Sequence, residues 1–87
     1  MTNIFETGIV AGVDRVRWSS AAGILEGTVK RVDVAKNAAG DYIDWLIIGD
    51  ITKDGSRYAA REDYTSRLAA TKSCLSMLKL EVLPRGA

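Results

Sequence analysis

The sequence predicts a mainly β fold, a small five-stranded barrel with a short helix before its last strand. Three observations support this class. Apolar and polar residues alternate with a period of two in several short runs, as in half-buried strands. Turn residues, including an Asp-Gly pair, separate these runs. One run near the carboxyl end instead approaches helical spacing. Short strands joined by tight turns favour a barrel over a flat sheet.

The chain of 87 residues has the length of a single domain, and we expect residues 1–8 and 84–87 to be flexible. Apolar residues make up 47% and charged residues 26%, which argues against a wholly disordered chain. No apolar run is long enough to span a membrane, and the amino-terminal residues do not resemble a signal peptide. We therefore expect a cytoplasmic protein that makes no membrane contact.

The side chains that most catalytic and metal sites require are scarce. The chain has no histidine and one cysteine, Cys74. It therefore lacks the residues for a disulfide, for a zinc site built on His or several Cys, and for a Ser–His or Cys–His pair. Residues 8–12 also lack the lysine and the spacing of a phosphate-binding loop. We expect no enzyme activity, no cofactor and no metal, and we expect Cys74 to pack as a small hydrophobic residue.

The first predicted strand covers residues 13–18, VDRVRW. Its alternation places Val16 and Trp18 on one face, and Arg15 and Arg17 on the other. Residues 19–23, SSAAG, have the composition of a loop. The predicted opening hairpin therefore has an apolar inner face and a basic outer face.

The second predicted strand covers residues 24–34, and residues 35–41 form a turn after it. Leu25 and Val29 lie on one face of this strand, whereas Val32 and Val34 lie on the other. This change of face predicts a β-bulge at Lys30 or Arg31. Gly27 is expected to permit a close approach of another strand, or a bend.

The third predicted strand covers residues 42–51 and has apolar residues on both faces, so we expect it to be covered on both sides for part of its length. Asp-Gly at residues 54–55 predicts a tight hairpin that leads to a fourth strand at residues 57–61. A short helix is predicted within residues 71–77, with Thr71 or Ser66 as its N-cap. The last strand covers residues 78–83, with Leu78, Leu80 and Val82 facing inward.

Residues 14–18, DRVRW, are followed by a small-residue loop and then by residues 27–32, GTVKRV. This order, with a short helix before the final strand, resembles SH3-like barrels of the Tudor and KOW type. Val13 separates Gly12 from Asp14 here, whereas the family pattern has glycine directly before aspartate. The resemblance implies a non-catalytic binding module. Tudor-type barrels bind peptides, sometimes methylated ones in aromatic cages, and KOW-type barrels bind RNA or ribosome- and polymerase-associated proteins.

Basic side chains in the first hairpin are the first candidate binding site. Arginine beside an aromatic ring suits phosphate contact and base stacking in RNA or single-stranded DNA. The alternative is a solvated strand face whose charge is offset by acidic residues of the same hairpin, namely Asp14, Glu26 and Asp33. The candidates in this set are Arg15, Arg17, Trp18, Lys30, Arg31 and Lys36.

Aromatic side chains are the second candidate site, because ring faces attract a cation and several rings together form a cage. The candidates are Trp18, Tyr42, Trp45, Tyr58 and Tyr64, and packing in the core or at its rim is the alternative. We expect Trp45 to be a core residue. The formal net charge of +1 favours a protein partner or a second copy of the chain over nucleic acid as the main ligand, with Leu46, Ile48 and residues 74–78, CLSML, as the contact surface.

Overall fold

The computed structural model describes residues 9–61 and 63–84. The predictions for residues 1–8 and 85–87 therefore lie outside the described residues. The elements follow one another along the chain as β1 (Arg15–Ser20), β2 (Gly23–Lys36), β3 (Tyr42–Lys53), β4 (Ser56–Arg57), β5 (Ser66–Ala69), α1 (Lys72–Met77) and β6 (Glu81–Val82).

All pairings within the sheet are antiparallel, in the order β4-β3-β2-β1-β6, and β5 pairs with β3 beside β4. The mainly β class and the short helix before the last strand are confirmed. The sheet has six strands rather than the predicted five, and it does not close into a complete barrel. β5 and β6 each have one paired edge, so the sheet retains open edges in the described part of the chain.

The core lies on one face of this sheet. Val16 and Trp18 of β1 are buried, as their alternation predicts. From β3 the inward residues are Leu46, Ile48 and Ile51. Leu46 and Ile48 have no exposed surface, so the expectation that they form a self-association surface is wrong. The remaining core residues come from several elements: Ile9, Leu25, Val29, Leu68 and Ala70, with Val32, Leu75, Leu78 and Leu80 packed against them.

The predicted bulge in β2 is confirmed, since the register with β3 shifts between Val29 and Arg31. A second shift occurs at Gly27, where β3 passes very close. A Cβ atom added at Gly27 would lie 2.9 Å from the Gly49 carbonyl oxygen and closer still to the Ile48 side chain. Glycine therefore allows the backbones to approach at this point.

Two turns illustrate how local sequence defines the strand ends. Asp54 and Gly55 both have positive φ, 53° and 81°, and they join β3 to β4 as the Asp-Gly signal predicts. The β1–β2 connection is tighter than the predicted five-residue loop, because pairing continues to Ser20↔Gly23. The Ser20 hydroxyl donates to the Gly23 carbonyl at 2.8 Å, which stabilises this turn.

The carboxyl-terminal third departs most from prediction. β5 was not predicted, and β4 has two residues where residues 57–61 were expected. Helix α1 and its N-cap are confirmed: the Thr71 hydroxyl accepts from the Cys74 amide at 3.3 Å. Cys74 is free and half-buried. The last strand spans Glu81–Val82 instead of residues 78–83, and Val82 is exposed rather than inward.

No helix in the described part of the chain is long and apolar enough to cross a membrane.

Candidate binding surfaces

The outer face of β1, β2 and β3 holds four basic residues of the predicted first site, Arg15, Arg17, Lys30 and Arg31. Lys36 lies on the opposite face with Tyr42. Arg15 lies across the three strands. Its guanidinium donates to the Thr28 hydroxyl at 3.0 Å, to the Thr52 hydroxyl at 3.3 Å and to the Asp50 carbonyl at 3.4 Å. These contacts hold Arg15 flat against the sheet instead of leaving it extended towards a ligand.

The other cations of this face are matched by carboxylates. Arg17 contacts Glu26 at 3.2 Å and Glu81 at 3.4 Å. Arg31 contacts both oxygens of Asp33, at 3.0 and 3.1 Å. The structure thus supports a strand face with internally offset charge, which was the alternative to a nucleic-acid site.

Lys30 completes this pattern. Its ammonium lies 2.6 Å from the Asp50 carboxylate. The hydrogen bond from Lys30, together with its positive charge, lowers the pKa of Asp50 below the ordinary value.

Asp14 plays a different part from the one expected. It is 2% exposed and its carboxylate accepts the Val10 amide at 2.7 Å, so it shapes the turn before β1 instead of offsetting the outer face.

Tyr42 lies at the far end of the β2–β3 hairpin and is 70% exposed. The Lys36 ammonium lies 5.4 Å from the centre of its ring. Trp18 pairs with Leu25 at the other end of β2. The structure therefore does not bring Trp18 and Tyr42 together in a cage.

The two tryptophans differ in burial. Trp18 is 2% exposed and belongs to the core, so it cannot present an open ring face to a ligand. Trp45 is half-buried on the outer face, which corrects its expected place in the core. Its indole N–H donates to the Ala35 carbonyl at 3.1 Å, and the Arg67 guanidinium lies 4.5 Å from its ring centre. Trp45 is therefore covered by an arginine of β5.

A groove of about 390 Å³ lies between the β1–β2 turn and β5. Trp18 and Tyr58, two of the predicted site residues, both line it. Tyr58 and Tyr64 stand at its rim with ring centres 6.0 Å apart. The apolar lining consists of Trp18, Ala21, Ala22, Leu25, Leu68 and Leu78.

One wall of the groove is the unpaired edge of β5. The Ala70 amide donates to the Asp44 carbonyl at 2.8 Å, in continuation of the β5–β3 ladder. Bonding alternates along an antiparallel strand, so Ser66 and Leu68 also bond to β3. The N–H and C=O groups of Arg67 and Ala69 point the other way. No residue in the described ranges pairs with β5 along that side.

A polar depression adjoins the groove through their shared lining residue, Tyr64. Asp50, Arg57 and Arg61 also line it. Arg61 and Asp63 form an exposed ion pair at 3.0 Å, and their hydrogen bond raises the pKa of Arg61 and lowers that of Asp63. Within residues 9–61 and 63–84, no cluster of three or more His, Cys, Asp or Glu residues is placed to hold a metal ion.

The sequence offered Tyr64 as an aromatic candidate, but it did not indicate that Ser66, Arg67 and Leu68 line the groove. Residues 66–69, SRLA, do alternate between inward and outward side chains, but the run is four residues long. Serine, arginine and alanine also have little intrinsic preference for strands. A run this short cannot be recognised as a strand from the sequence, because its strand conformation depends on pairing with β3.

No protein-family model, curated protein or solved structure matches this chain. The fold and groove therefore define only a class, a small mainly β domain with an open antiparallel sheet. The resemblance to Tudor and KOW barrels stays a prediction from the opening hairpin.

Proposed function

We propose that this domain is a non-catalytic protein-binding module that takes up an extended segment of a partner along the open edge of β5. The observation that supports the proposal is the position of an unpaired strand edge beside an apolar groove. An added strand gains main-chain hydrogen bonds from Arg67 and Ala69, and alternate side chains enter the groove. Strand addition needs these two features together.

The composition of the groove agrees with a peptide ligand. Natural proteins protect strand edges with short strands, charged side chains, proline or a bulge. β5 has only four residues and carries Arg67, but it has neither proline nor a bulge, and its register with β3 is regular. Tyr58 and Tyr64 at the rim are each more than one-third exposed. Tyrosine is enriched at the energetically important positions of protein interfaces.

Nucleic-acid binding through the first hairpin has less support. Phosphate binding there would require Arg17, Lys30 and Arg31 to give up their carboxylate contacts. We expect single-stranded RNA and double-stranded DNA to show no salt-sensitive affinity at two salt concentrations. Micromolar binding that disappears in a folded Arg15→Glu/Arg17→Glu variant would reverse this ranking.

The proposal is tested with blocked seven-residue peptides of alternating threonine and valine, added to ¹⁵N-labelled protein and followed by NMR. We expect the largest shifts at the amides of Arg67 and Ala69. Ala69→Pro removes an edge N–H that takes no part in the β5–β3 ladder, so the variant should fold and lose binding.

A matched control is Val34→Pro. The Asn37 amide donates to the Asp41 carbonyl at 2.8 Å, and alternation from this bond places the Val34 N–H on an open edge of β2, away from the groove. This variant should bind peptide as the unmodified protein does. Equal binding by a folded Ala69→Pro variant, or no shifts with any peptide at millimolar concentration, would show that β5 is not the site.

Self-association is a second candidate, favoured by the distal half of the β2–β3 hairpin. Val34 is 67% exposed, and Tyr42 lies on the same face through its pairing with Lys36. Light scattering over a range of protein concentrations tests this candidate. A rising mass that Tyr42→Asp abolishes would support it, and a constant monomer mass would eliminate it.

A further inference from the structure

We infer that the segment bound at β5 carries an acidic residue opposite Arg67, with an apolar residue on each side of it. This inference rests on the proposed function and identifies the chemistry of the ligand. It follows from the faces of β5, from the unmatched charge of Arg67 and from the apolar lining of the groove.

The register of β5 determines which side chains share a face. Arg67 lies opposite Ile47 and Leu68 lies opposite Leu46. Because directly opposed residues in an antiparallel ladder project to the same face, Arg67 is on the outer face and Leu68 faces the core. A strand added in antiparallel direction to the other edge of β5 obeys the same rule. Its residue opposite Arg67 therefore projects outward, and the two flanking residues project into the groove.

Arg67 differs from Arg17 and Arg31, which each contact a carboxylate, and from Arg15, whose guanidinium donates to three oxygens of the sheet. The exposed guanidinium of Arg67 lies over the Trp45 ring, and it forms no ion pair with any residue that the structure describes. Asp33, which lies opposite Trp45 on the same face, is held through both oxygens by Arg31. A ligand carboxylate opposite Arg67 would have its Cβ about 4.5–5.5 Å from that of Arg67, which is within ion-pair reach. A cation there would be repelled.

The inner side of the same ligand segment meets a different surface. Leu25, Leu68 and Leu78 line the groove, and Tyr58 and Tyr64 border it. Two ligand side chains on one face of a strand are separated by about 6.6–6.8 Å, so both can reach a groove of about 390 Å³. Valine, isoleucine or leucine at these positions removes apolar surface from water. The expected core of the ligand is apolar–acidic–apolar.

The test uses two blocked peptides, STVEVTS and STVKVTS, which read the same in both directions, so the direction of the added strand does not matter. Dissociation constants are measured by titration calorimetry at low and at high salt. We expect the unmodified protein to bind the glutamate peptide roughly five-fold more tightly than the lysine peptide, with a smaller ratio at high salt. Arg67→Glu should reverse the preference, and Arg67→Lys should keep it.

Arg17→Glu is the matched control, because Arg17 also lies on the outer face but on β1, where it contacts Glu26 and Glu81 and is separated from β5 in the sheet by β2 and β3. It should leave the preference for the glutamate peptide unchanged. If both peptides bind the unmodified protein with equal affinity and shift the Arg67 and Ala69 amides, the inferred preference for an acidic residue is wrong. The proposed function is not contradicted by that result. Failure of both peptides to bind contradicts the proposed function as well.

Discussion

The outer face of β1–β3 and the groove beside β5 both contain arginine, and they differ in what that arginine contacts. On the outer face, Arg17 and Arg31 each lie within ion-pair distance of a carboxylate of the same domain. Beside the groove, Arg67 lies over an aromatic ring without a carboxylate partner among the described residues. A basic segment in the sequence therefore does not by itself identify a binding site. The pairing of each charge decides whether it is available to a ligand.

The two regions also differ in what they contribute to stability. Exposed ion pairs such as Arg17–Glu26 are each worth about 0–1 kcal/mol, because water screens them and ordering two long side chains costs entropy. The groove lining, in contrast, includes Trp18, Leu25 and Leu68 of the main core. The region proposed to bind is thus built on the part of the molecule that stabilises the fold.

The largest expected effect is the difference in stability between truncating a buried side chain of β1 and truncating one on its outer face. Trp18→Ala should reduce the free energy of unfolding by about 3–5 kcal/mol, since it removes a buried indole and leaves a cavity. Arg17→Ala, the adjacent residue on the outer face, should cost less than about 1 kcal/mol. Urea denaturation of the two variants measures the contrast. Similar losses in both variants would mean that the two faces of β1 are not as different as the structure indicates.

Proline substitution in β5 tests which of its amides are unpaired. Leu68→Pro breaks a ladder bond to β3 and should cost about 3 kcal/mol or more. Ala69→Pro removes an amide on the open edge and should cost less than about 1 kcal/mol. Thermal or urea unfolding gives both values. A larger loss in Ala69→Pro than in Leu68→Pro would mean that the Ala69 amide bonds to β3 and the Leu68 amide does not. Strand addition through Arg67 and Ala69 would then have no basis.

Hydrogen exchange tests the same edge without any substitution. The Leu68 and Ala70 amides bond to β3, so they should exchange on the order of ten-fold more slowly than the amides of Arg67 and Ala69. Exchange is followed by NMR in deuterated buffer. Strong protection of the Arg67 and Ala69 amides in the free protein would show that another segment already covers this edge.

The smallest expected effect concerns the ion pair between Lys30 and Asp50. The pKa of Asp50 is lowered in the folded protein, so the pair adds stability above the unfolded pKa and loses it as the pH falls through the folded pKa. Lys30→Met should return the pKa of the Asp50 carboxyl towards its ordinary value, as measured by carboxyl ¹³C titration. Lys79→Met, which changes a lysine without a carboxylate contact in the described part of the chain, is the control. An unchanged Asp50 pKa in Lys30→Met would mean that the two groups do not interact in solution.

Much of the fold was predictable because its signals are local. Val16 and Trp18 alternate with two arginines, and this alone separates the buried face of β1 from its outer face. The Asp-Gly turn after β3 and the Thr71 cap of α1 were predictable for the same reason, since each depends on one or two neighbouring residues. The β2 bulge was found from a break in parity within a single strand.

The candidate site was predictable only in part. Tyr58, Tyr64 and Trp18 were aromatic candidates and all three line the groove, but Trp18 does so from the core. In β3, Trp45 and Ile47 alternate with Leu46 and Ile48, so both faces are apolar in the sequence. Packing against Val16, Trp18 and Leu68 decides that Leu46 and Ile48 face the core, and Trp45 is left on the outer face beneath Arg67.

The sequence by itself determined which faces of β1 and β2 are apolar, where the β3–β4 turn falls and where α1 begins, because these features depend on neighbouring residues. Tertiary structure alone decided that residues 66–69 form a strand. It also decided that, among the described residues, the sheet remains open and Arg67 has no carboxylate partner while Arg17 has two. These outcomes depend on contacts between residues far apart in the chain. Glu81 reaches Arg17 across 64 positions, and no local pattern encodes a contact of that range.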